Sequence, residues 1–262
     1  MALGLQGKSV LVLASSKGLG KAIATEFVLE GACVMLTSRD EATLAKTARE
    51  LNNLASGEVS YRVCDITRSD QIQNLVAETI GEFGKIDVLV NNSGGPPAGD
   101  FDFLDDRDWQ HAFELNLLSY VRTIREVLPH MRRQRGGHII NIASMSAKEP
   151  IDGLILSNTF RTAVAGFAKT LSRELASDNI LVNTVGPGRI GTDRVEYLDR
   201  KRSEEMQISY EKVRSMAEEE IPLRRYGMPT ELAKLVAFLG SPVNTYITGQ
   251  VILIDGGLTK AI

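Results

Sequence analysis

The chain has 262 residues, of which 43% are hydrophobic and 24% are charged, and its formal net charge is -3 at pH 7. This length is enough for one globular domain with a large core. The slightly acidic balance, with no basic stripe interleaved with aromatic residues, argues against a nucleic-acid-binding protein.

The apolar runs predict seven strands and the segments between them predict helices. Each run is unbroken rather than alternating, which is typical of parallel strands buried on both faces. The predicted strands are, in chain order, Ser9–Leu13, Cys33–Leu36, Val59–Val63, Ile86–Val90, His138–Ala143, Ile180–Val185 and Gln250–Ile254. The main predicted helices are Lys21–Leu29, Glu41–Leu54, Ser69 to about Gly84, about Asp105 to Arg135, and about Leu154–Ser177.

Strands that alternate with helices over the whole length predict an α/β fold: a single-domain Rossmann-type, doubly wound parallel sheet of about seven strands flanked by helices. No linker or repeat divides residues 1–262, so one domain is expected, with a helical lid inserted at about residues 190–220.

The composition also bears on compartment and metals. The two cysteines lie in apolar runs, and neither they nor the three histidines have the spacing of a disulfide framework or a metal site. Residues Met1 to Lys8 lack the apolar stretch of a signal peptide, and no uncharged apolar run reaches the length of about 18 residues that a membrane span needs. A cytoplasmic protein without metal or membrane partner is expected.

A glycine-rich turn follows the first strand and leads into the first helix, where backbone N–H groups can hold a phosphate. It consists of Ala14, Ser15, Ser16, Lys17, Gly18, Leu19 and Gly20. Such a turn alone is weak evidence, since a glycine after a strand is often only a turn. Polar or glycine-rich turns at residues 91–94 and 183–188 follow two further strands, and together the three predict one ligand crevice.

These landmarks resemble the short-chain dehydrogenases/reductases, and among them the 3-oxoacyl-acyl-carrier-protein reductases. They run in the family's order and spacing from residue 9 to residue 257: Ala14-x3-Gly18-x-Gly20, Cys64-Asp65, Asn91-Asn92-Ser93-Gly94, Asn116, Ser144, Asn183 to Gly188, and Ile254-Asp255-Gly256-Gly257. One departure is Leu13-Ala14, where the family usually has Thr-Gly. The added methyl is expected to weaken cofactor binding without forbidding it, while Ser15 and Ser16 still offer hydroxyls to a phosphate.

The resemblance implies a dinucleotide cofactor, and the end of the second strand bears on which one. An acidic residue there would bind the ribose of NAD, but the chain has Thr37-Ser38-Arg39, and Lys17 lies in the glycine turn. Two cations favour the 2′-phosphate of NADP, with NAD as the less favoured cofactor; alternatively, both are solvated surface charges. The other residues implied in cofactor binding are Asp65, near the adenine, and Ile66, Asn92, Ser93, Gly94, Arg161, Pro187, Gly188 and Ile190.

Family members transfer a hydride while a Tyr donates a proton, assisted by a Lys, a Ser and an Asn. Ser144 and Asn116 match the family's Ser and Asn, but the family spacing places Ser157 at the Tyr position and Arg161 at the Lys position. Arg keeps the charge, whereas a serine hydroxyl is a far poorer acid than a phenol.

Three other side chains could donate a proton in place of the missing Tyr. The motif Tyr197-x-x-x-Lys201 lies in the expected lid and is interpreted as a surface i,i+4 pair, although Tyr197 could swing over the site. Glu149 and Asp152, in the loop before the predicted catalytic helix, are further candidates that are more simply explained as solvated carboxylates.

Two functions stay open. The first is a divergent NADP(H)-dependent reductase of ketones or 3-oxoacyl thioesters, the substrate being a small molecule or an acyl group on an acyl carrier protein. The second is a catalytically idle dinucleotide-binding sensor or oligomeric scaffold. By resemblance, a homotetramer or homodimer is expected. Arg132, Arg133, Arg135 and Arg173 could receive an acidic carrier protein, but their place at helix ends is explanation enough.

Overall fold

The structure, a computed structural model, describes residues 2–54 and 57–261. One parallel sheet carries seven strands in the order β3-β2-β1-β4-β5-β6-β7. The strands are β1 (Ser9–Val12), β2 (Cys33–Ser38), β3 (Val59–Val63), β4 (Val88–Asn91), β5 (Gly137–Ile142), β6 (Ile180–Pro187) and β7 (Val251–Ile254). The predicted doubly wound sheet is therefore confirmed.

Helices follow the strands in turn. They are α1 (Gly18–Leu29), α2 (Glu41–Asn52), α3 (Ser69–Phe83), α4 (Asp106–Phe113), α5 (Ser119–Arg133), α6 (Ile155–Glu174), α7 (Asp193–Met206), α8 (Tyr210–Glu220) and α9 (Pro229–Leu239). The single long helix expected from Asp105 to Arg135 is instead α4 and α5, joined by a π-helical turn at Glu114–Leu118. Such turns widen a helix locally and occur frequently at functional sites.

The core lies on both faces of the sheet. On one face α1, α2 and α9 pack against the central strands, where Phe27 of α1 and Val236 of α9 are fully buried. On the other face α3, α5 and α6 cover the sheet, with Val127 of α5 fully buried. Burying one such side chain contributes about 1.5–3 kcal/mol, so the unbroken apolar strands are explained by burial on two sides.

The strand order creates a crevice between β1 and β4. The chain runs outward from β1 to β3 and then returns to β4 beside β1, so the loops after β1 and β4 diverge. Ligands bind at such switch points, at the carboxyl ends of the strands. The glycine turn, the loop after β4 and the loop after β5 all open at this edge.

The segment expected to form a lid contains α7 and α8. Its base is closed by an isolated bridge between Ile190 and Gly227, and Asp199 of α7 is held by Arg189 and Tyr226. Its role as a lid stays a prediction. In the described part of the chain, no helix is long and apolar enough to cross a membrane.

Candidate active site

The glycine turn after β1 adopts the tight conformation that phosphate-binding turns use. Ala14 has φ +49° and Gly18 has φ +56°, both in the left-handed region, which costs a residue with a Cβ about 1–2 kcal/mol. A Cβ on Gly20 would overlap the Ala14 carbonyl oxygen, whereas one on Gly18 would meet no atom within 4 Å. Gly20 is therefore required by packing, and Gly18 borders open space at the crevice.

Two side chains hold this turn in place. Asn92 donates from Nδ2 to the carbonyl oxygen of Ala14 at 3.1 Å. The Ser15 hydroxyl is fully buried, donates to the Val12 carbonyl at 2.9 Å and accepts from the Thr37 N–H at 2.9 Å. That hydroxyl thus joins β1 to β2, and its contact with a phosphate stays a prediction.

Two further residues of the glycine turn, Ser16 and Leu19, are both half-buried. The Ser16 carbonyl oxygen accepts from the Thr47 hydroxyl of α2 at 2.8 Å. Leu19 packs against the core beneath α1. The Ser16 hydroxyl is thus the one serine hydroxyl of the turn that the fold does not use, within the residues described.

Lys17 and Arg39 are both exposed beside the carboxyl end of β2, and neither side chain has a hydrogen-bond or ion-pair partner among residues 2–54 and 57–261. Thr43 hydrogen bonds and, more weakly, the charge of Lys17 hold the pKa of Asp40 below its usual value. Burial raises the pKa of Asp65, but hydrogen bonds from Thr67 and the charge of Arg39 outweigh it, so the net direction is downward. The two cations thus act on one corner of the crevice.

Asn116 is fully buried in the π-helical turn and reaches the loop after β4. Its Nδ2 donates to the Ser93 hydroxyl at 2.9 Å and to the Gly94 carbonyl at 2.7 Å. Its Oδ1 has no partner among the described residues. Because buried polar atoms are normally paired, this oxygen is available to a water or ligand hydroxyl.

Arg161 of α6 lies beneath the same loop with only 5% of its surface exposed. Its Nη1 donates to the Ile142 carbonyl at 2.9 Å and to the Tyr120 hydroxyl at 3.1 Å, and Nη2 lies 3.4 Å from the Ser93 hydroxyl. Within the described chain no carboxylate lies within 4.0 Å of this guanidinium. A buried cation without a counter-ion is costly, so this group is set to meet negative charge or acceptor oxygens from a ligand.

Ser144 follows β5 and Ser157 lies in the first turn of α6, both half-buried. The Ser144 Oγ accepts from the Ser146 N–H at 3.1 Å, which fixes the oxygen and leaves its proton free to be donated. The Ser157 hydroxyl has no hydrogen-bond partner in the part of the chain described. The assignment of Ser157 to the family's Tyr position stays a prediction.

The substitute proton donors are placed as follows. Glu149 accepts from the backbone N–H groups of Lys260 and Ala261 at 2.7 and 3.2 Å, so it anchors the C-terminal segment rather than the site. Tyr197 is 56% exposed on α7, and Lys201 donates to the Ala98 carbonyl at 3.2 Å. The Tyr-x-x-x-Lys motif therefore lies on the lid segment and not on α6. Asp152 is exposed.

The remaining residues implied in cofactor binding line the edge through their backbone. Ile66 and Ile190 have buried side chains that belong to the two cores. A Cβ on Gly188 would lie 2.7 Å from the Asp255 Cα, so this position requires glycine. Pro187 ends β6. These positions shape the crevice, while their contacts to a cofactor stay predictions.

Sequence reasoning missed two residues. Tyr120 is fully buried, donates to the Ile142 carbonyl at 2.9 Å and lies 3.3 Å from the Ser93 hydroxyl. Its spacing of four residues from Asn116 puts both on one helical face, which was a usable signal. Arg194 of α7 donates from Nη2 to the Pro96 carbonyl at 2.7 Å. That contact joins positions 98 residues apart, so no local sequence pattern could have predicted it.

Known proteins similar to this chain support one family. The family described as Enoyl-(Acyl carrier protein) reductase matches residues 13–259. The 3-oxoacyl-[acyl-carrier-protein] reductase of Thermotoga maritima is 36% identical over 254 residues, covering 97% of this chain and 98% of its own. L-sorbose reductase of Gluconobacter frateurii, solved with NADPH and L-sorbose, is 32% identical with a TM-score of 0.95, covering 100% of both chains.

A third similar protein is a variant of actinorhodin polyketide ketoreductase solved with NADPH. It is 32% identical, has a TM-score of 0.92 and covers 97% of both chains. The chain therefore belongs to the short-chain dehydrogenase/reductase family of oxidoreductases and is similar to the 3-oxoacyl-acyl-carrier-protein reductases.

Proposed function

We propose that the protein is an NADP(H)-dependent oxidoreductase that acts on a carbonyl/hydroxyl pair, in a ketone or a 3-oxoacyl thioester, with Ser157 and Arg161 in place of the usual Tyr and Lys. The observation that carries the proposal is the buried guanidinium of Arg161, which lies at the carboxyl ends of β4 and β5 without a carboxylate partner. It occupies the place where a ribose hydroxyl or a developing oxyanion needs a donor.

The residues present fit a dinucleotide. Gly18 borders open space in a left-handed turn, which suits the close approach of a phosphate to the backbone. Lys17 and Arg39 would hold the 2′-phosphate of NADP through charge-assisted hydrogen bonds. At the other end of the crevice, Arg161 and the unpartnered Oδ1 of Asn116 would meet ribose hydroxyls or a water.

When bound, the nicotinamide supplies or accepts the hydride. Ser144, whose Oγ is fixed by the Ser146 N–H, donates a hydrogen bond to the substrate oxygen. Arg161 stabilises negative charge that develops on that oxygen. Ser157 relays a proton from water, because an aliphatic hydroxyl cannot serve as the acid that a phenol provides. General acid catalysis contributes about 10²–10⁴-fold, so slow turnover is expected.

The preference for NADP has two supports. The first residue after β2 is the cation Arg39 and not a carboxylate, and the exposed Lys17 of the glycine turn lies at the same corner. L-sorbose reductase and the actinorhodin ketoreductase variant were both solved with NADPH. The name of the Thermotoga maritima relative supports an acyl group on an acyl carrier protein as one substrate form. A single domain, a cytoplasmic location and a homotetramer or homodimer complete the proposal.

A second candidate is a catalytically idle sensor or scaffold that still binds the dinucleotide. The observation favouring it is the Ser157 hydroxyl, which lies alone at the Tyr position. Ala14, whose methyl borders the cofactor turn, points in the same direction. This candidate differs from the first in turnover and not in binding.

The deciding experiment titrates the purified protein with NADPH and with NADH, following nucleotide fluorescence. Saturable binding with NADPH preferred supports the proposal, and a ketone or 3-oxoacyl thioester is then added to measure oxidation of NADPH. Binding without turnover of any carbonyl favours the idle sensor. Binding of neither nucleotide would overturn both.

A further inference from the structure

Arg194 extends from the first turn of α7 to the loop that follows β4. Its Nη2 donates to the Pro96 carbonyl at 2.7 Å, and its Nε lies 2.9 Å from where a Cβ on Gly95 would stand. The guanidinium also lies over the ring of Tyr197, 5.5 Å from the centroid. The side chain is thus fixed above the loop on one side of the crevice.

Arg161 reaches the same loop from below. Its Nη2 lies 3.4 Å from the hydroxyl of Ser93, three residues before Pro96. Burial lowers the pKa of Arg194, and the positive charge of Arg161 lowers it further, while Tyr197 opposes this. No carboxylate is among the charges that act on Arg194, so Tyr197 alone opposes the repulsion from Arg161.

Other arginines of the same segment are treated differently. Arg189 pairs with Asp199 at 2.6 Å, and Arg200 pairs with Glu196 at 2.6 Å. Arg194 lies between them in the chain and has no ion pair among the residues described. Arg202, farther along α7, likewise has no ion pair among the described residues, so what sets Arg194 apart is its bond to the Pro96 carbonyl beside the crevice.

We infer that the substrate carries an anionic group, a carboxylate or a phosphate, close to the reacting carbon, and that Arg194 receives it. Pro96 accepts from one of the two N–H groups of Nη2, so the other can pair with a neighbouring N–H of the guanidinium to bind two oxygens of one anion, a fork that an ammonium lacks. The positive charge of Arg161, on the other side of the loop, adds to the electrostatic attraction for the anion. This inference rests on the proposed function and names the substrate class of that site.

The test uses ligand pairs that differ only in charge. Acetoacetate is compared with its methyl ester, and hydroxyacetone phosphate with hydroxyacetone, so that a carboxylate and a phosphate near the carbonyl are distinguished. Binding is measured by calorimetry with and without NADP⁺, and KM and kcat are measured with NADPH. The variants are Arg194→Gln, Arg194→Lys and, as a matched control, Arg202→Gln, which removes a charge from the same helix about 12 Å farther along.

One anionic ligand should bind at least about tenfold more tightly than its neutral partner, as expected for a charge-assisted contact. Arg194→Gln should abolish this preference through KM, Arg194→Lys should restore it in part, and Arg202→Gln should keep it. NADPH binding should be the same in all variants. Retention of the preference in Arg194→Gln, or equal binding of both members of each pair, would overturn the inference.

The proposed function fails separately. If the wild type binds no NADPH, the oxidoreductase proposal is wrong, and the calorimetry without NADP⁺ still decides whether Arg194 binds the anion. If NADPH binds and neutral carbonyls turn over as well as anionic ones, the function stands and the anionic substrate does not.

Discussion

The half of the crevice formed by β1 to β3 differs from the half formed by β4 to β6 in how it is built. In the first half the backbone shapes the site: Ala14 keeps a left-handed turn with φ +49°, and Gly20 lies against the Ala14 carbonyl. In the second half side chains shape the site, with Asn116 and Arg161 bonded to the loop after β4 and Ser157 and Arg161 proposed in place of the family's Tyr and Lys. A backbone-built site tolerates substitution so long as the new residue can adopt the turn. A site built from side chains changes its chemistry when those side chains are substituted.

The second half is nevertheless assembled as a specific polar network. Asn116, Ser93, Tyr120 and Arg161 are joined by hydrogen bonds of 2.9 to 3.4 Å. A decayed site would be expected to fill with apolar side chains, because unpaired buried polar groups are costly. The hydrogen-bonded network therefore favours a functional role for Arg161 over a decayed site.

Restoring the family's pair is the strongest way to test that contrast. Ser157→Tyr combined with Arg161→Lys should raise kcat/KM for NADPH-dependent ketone reduction by about 10²–10⁴-fold, because a phenol beside an ammonium is an effective acid. The measurement follows NADPH absorbance. Ser157→Phe with Arg161→Lys is the matched control and should give no gain. Equal rates in the two double variants would show that the position of residue 157 has been assigned wrongly.

Variants of the α7–α8 segment can test whether side chains also hold the second half of the crevice together. Asp199 is 1% exposed, pairs with Arg189 at 2.6 Å and accepts from the Tyr226 hydroxyl at 2.7 Å. Asp199→Ala should lower the free energy of unfolding by about 3 kcal/mol, since it leaves a partly buried cation unpaired. Urea unfolding measures this.

Tyr226→Phe removes one hydrogen bond from the same cluster and should cost about 1 kcal/mol. NADPH affinity should not change in either variant, because neither residue lies at the glycine turn. A loss below 1 kcal/mol for Asp199→Ala would mean that the pair does not anchor α7.

The same contrast explains what the sequence could predict. Apolar runs such as Ile180–Val185 and the glycine turn are local signals, so the sheet and the crevice followed from them. The sequence could not show that the Ser15 hydroxyl accepts from the Thr37 N–H, because that partner lies on a strand 22 residues away. Arg194 was missed since its contact with Pro96 exists only after folding. Catalytic positions came from the family's spacing, and residues alone would not have given them.

The first half can be tested through its nucleotide preference. Lys17→Gln and Arg39→Gln should each lower the preference for NADPH over NADH by about tenfold, since each removes one charge-assisted contact to the 2′-phosphate. Nucleotide titrations at low and high salt measure this, and the difference should shrink as salt screens the charges. Lys46→Gln, an exposed cation on α2, is the control. An unchanged preference for NADPH over NADH in both variants would mean that these two cations are solvated surface charges and do not contact the 2′-phosphate.

The smallest expected effect concerns the one backbone position of the first half where the chain departs from the family. Ala14→Gly should raise the free energy of unfolding by about 0.5–1 kcal/mol, because relief of the left-handed strain exceeds the entropy cost of glycine. It should also tighten NADPH binding by clearing the methyl from the turn. Ala22→Gly, within α1, is the matched control and should lower stability by a similar amount without changing affinity. If Ala14→Gly also destabilised the protein, the turn at residue 14 would not be strained, and the tolerance of the backbone-built half would need another cause.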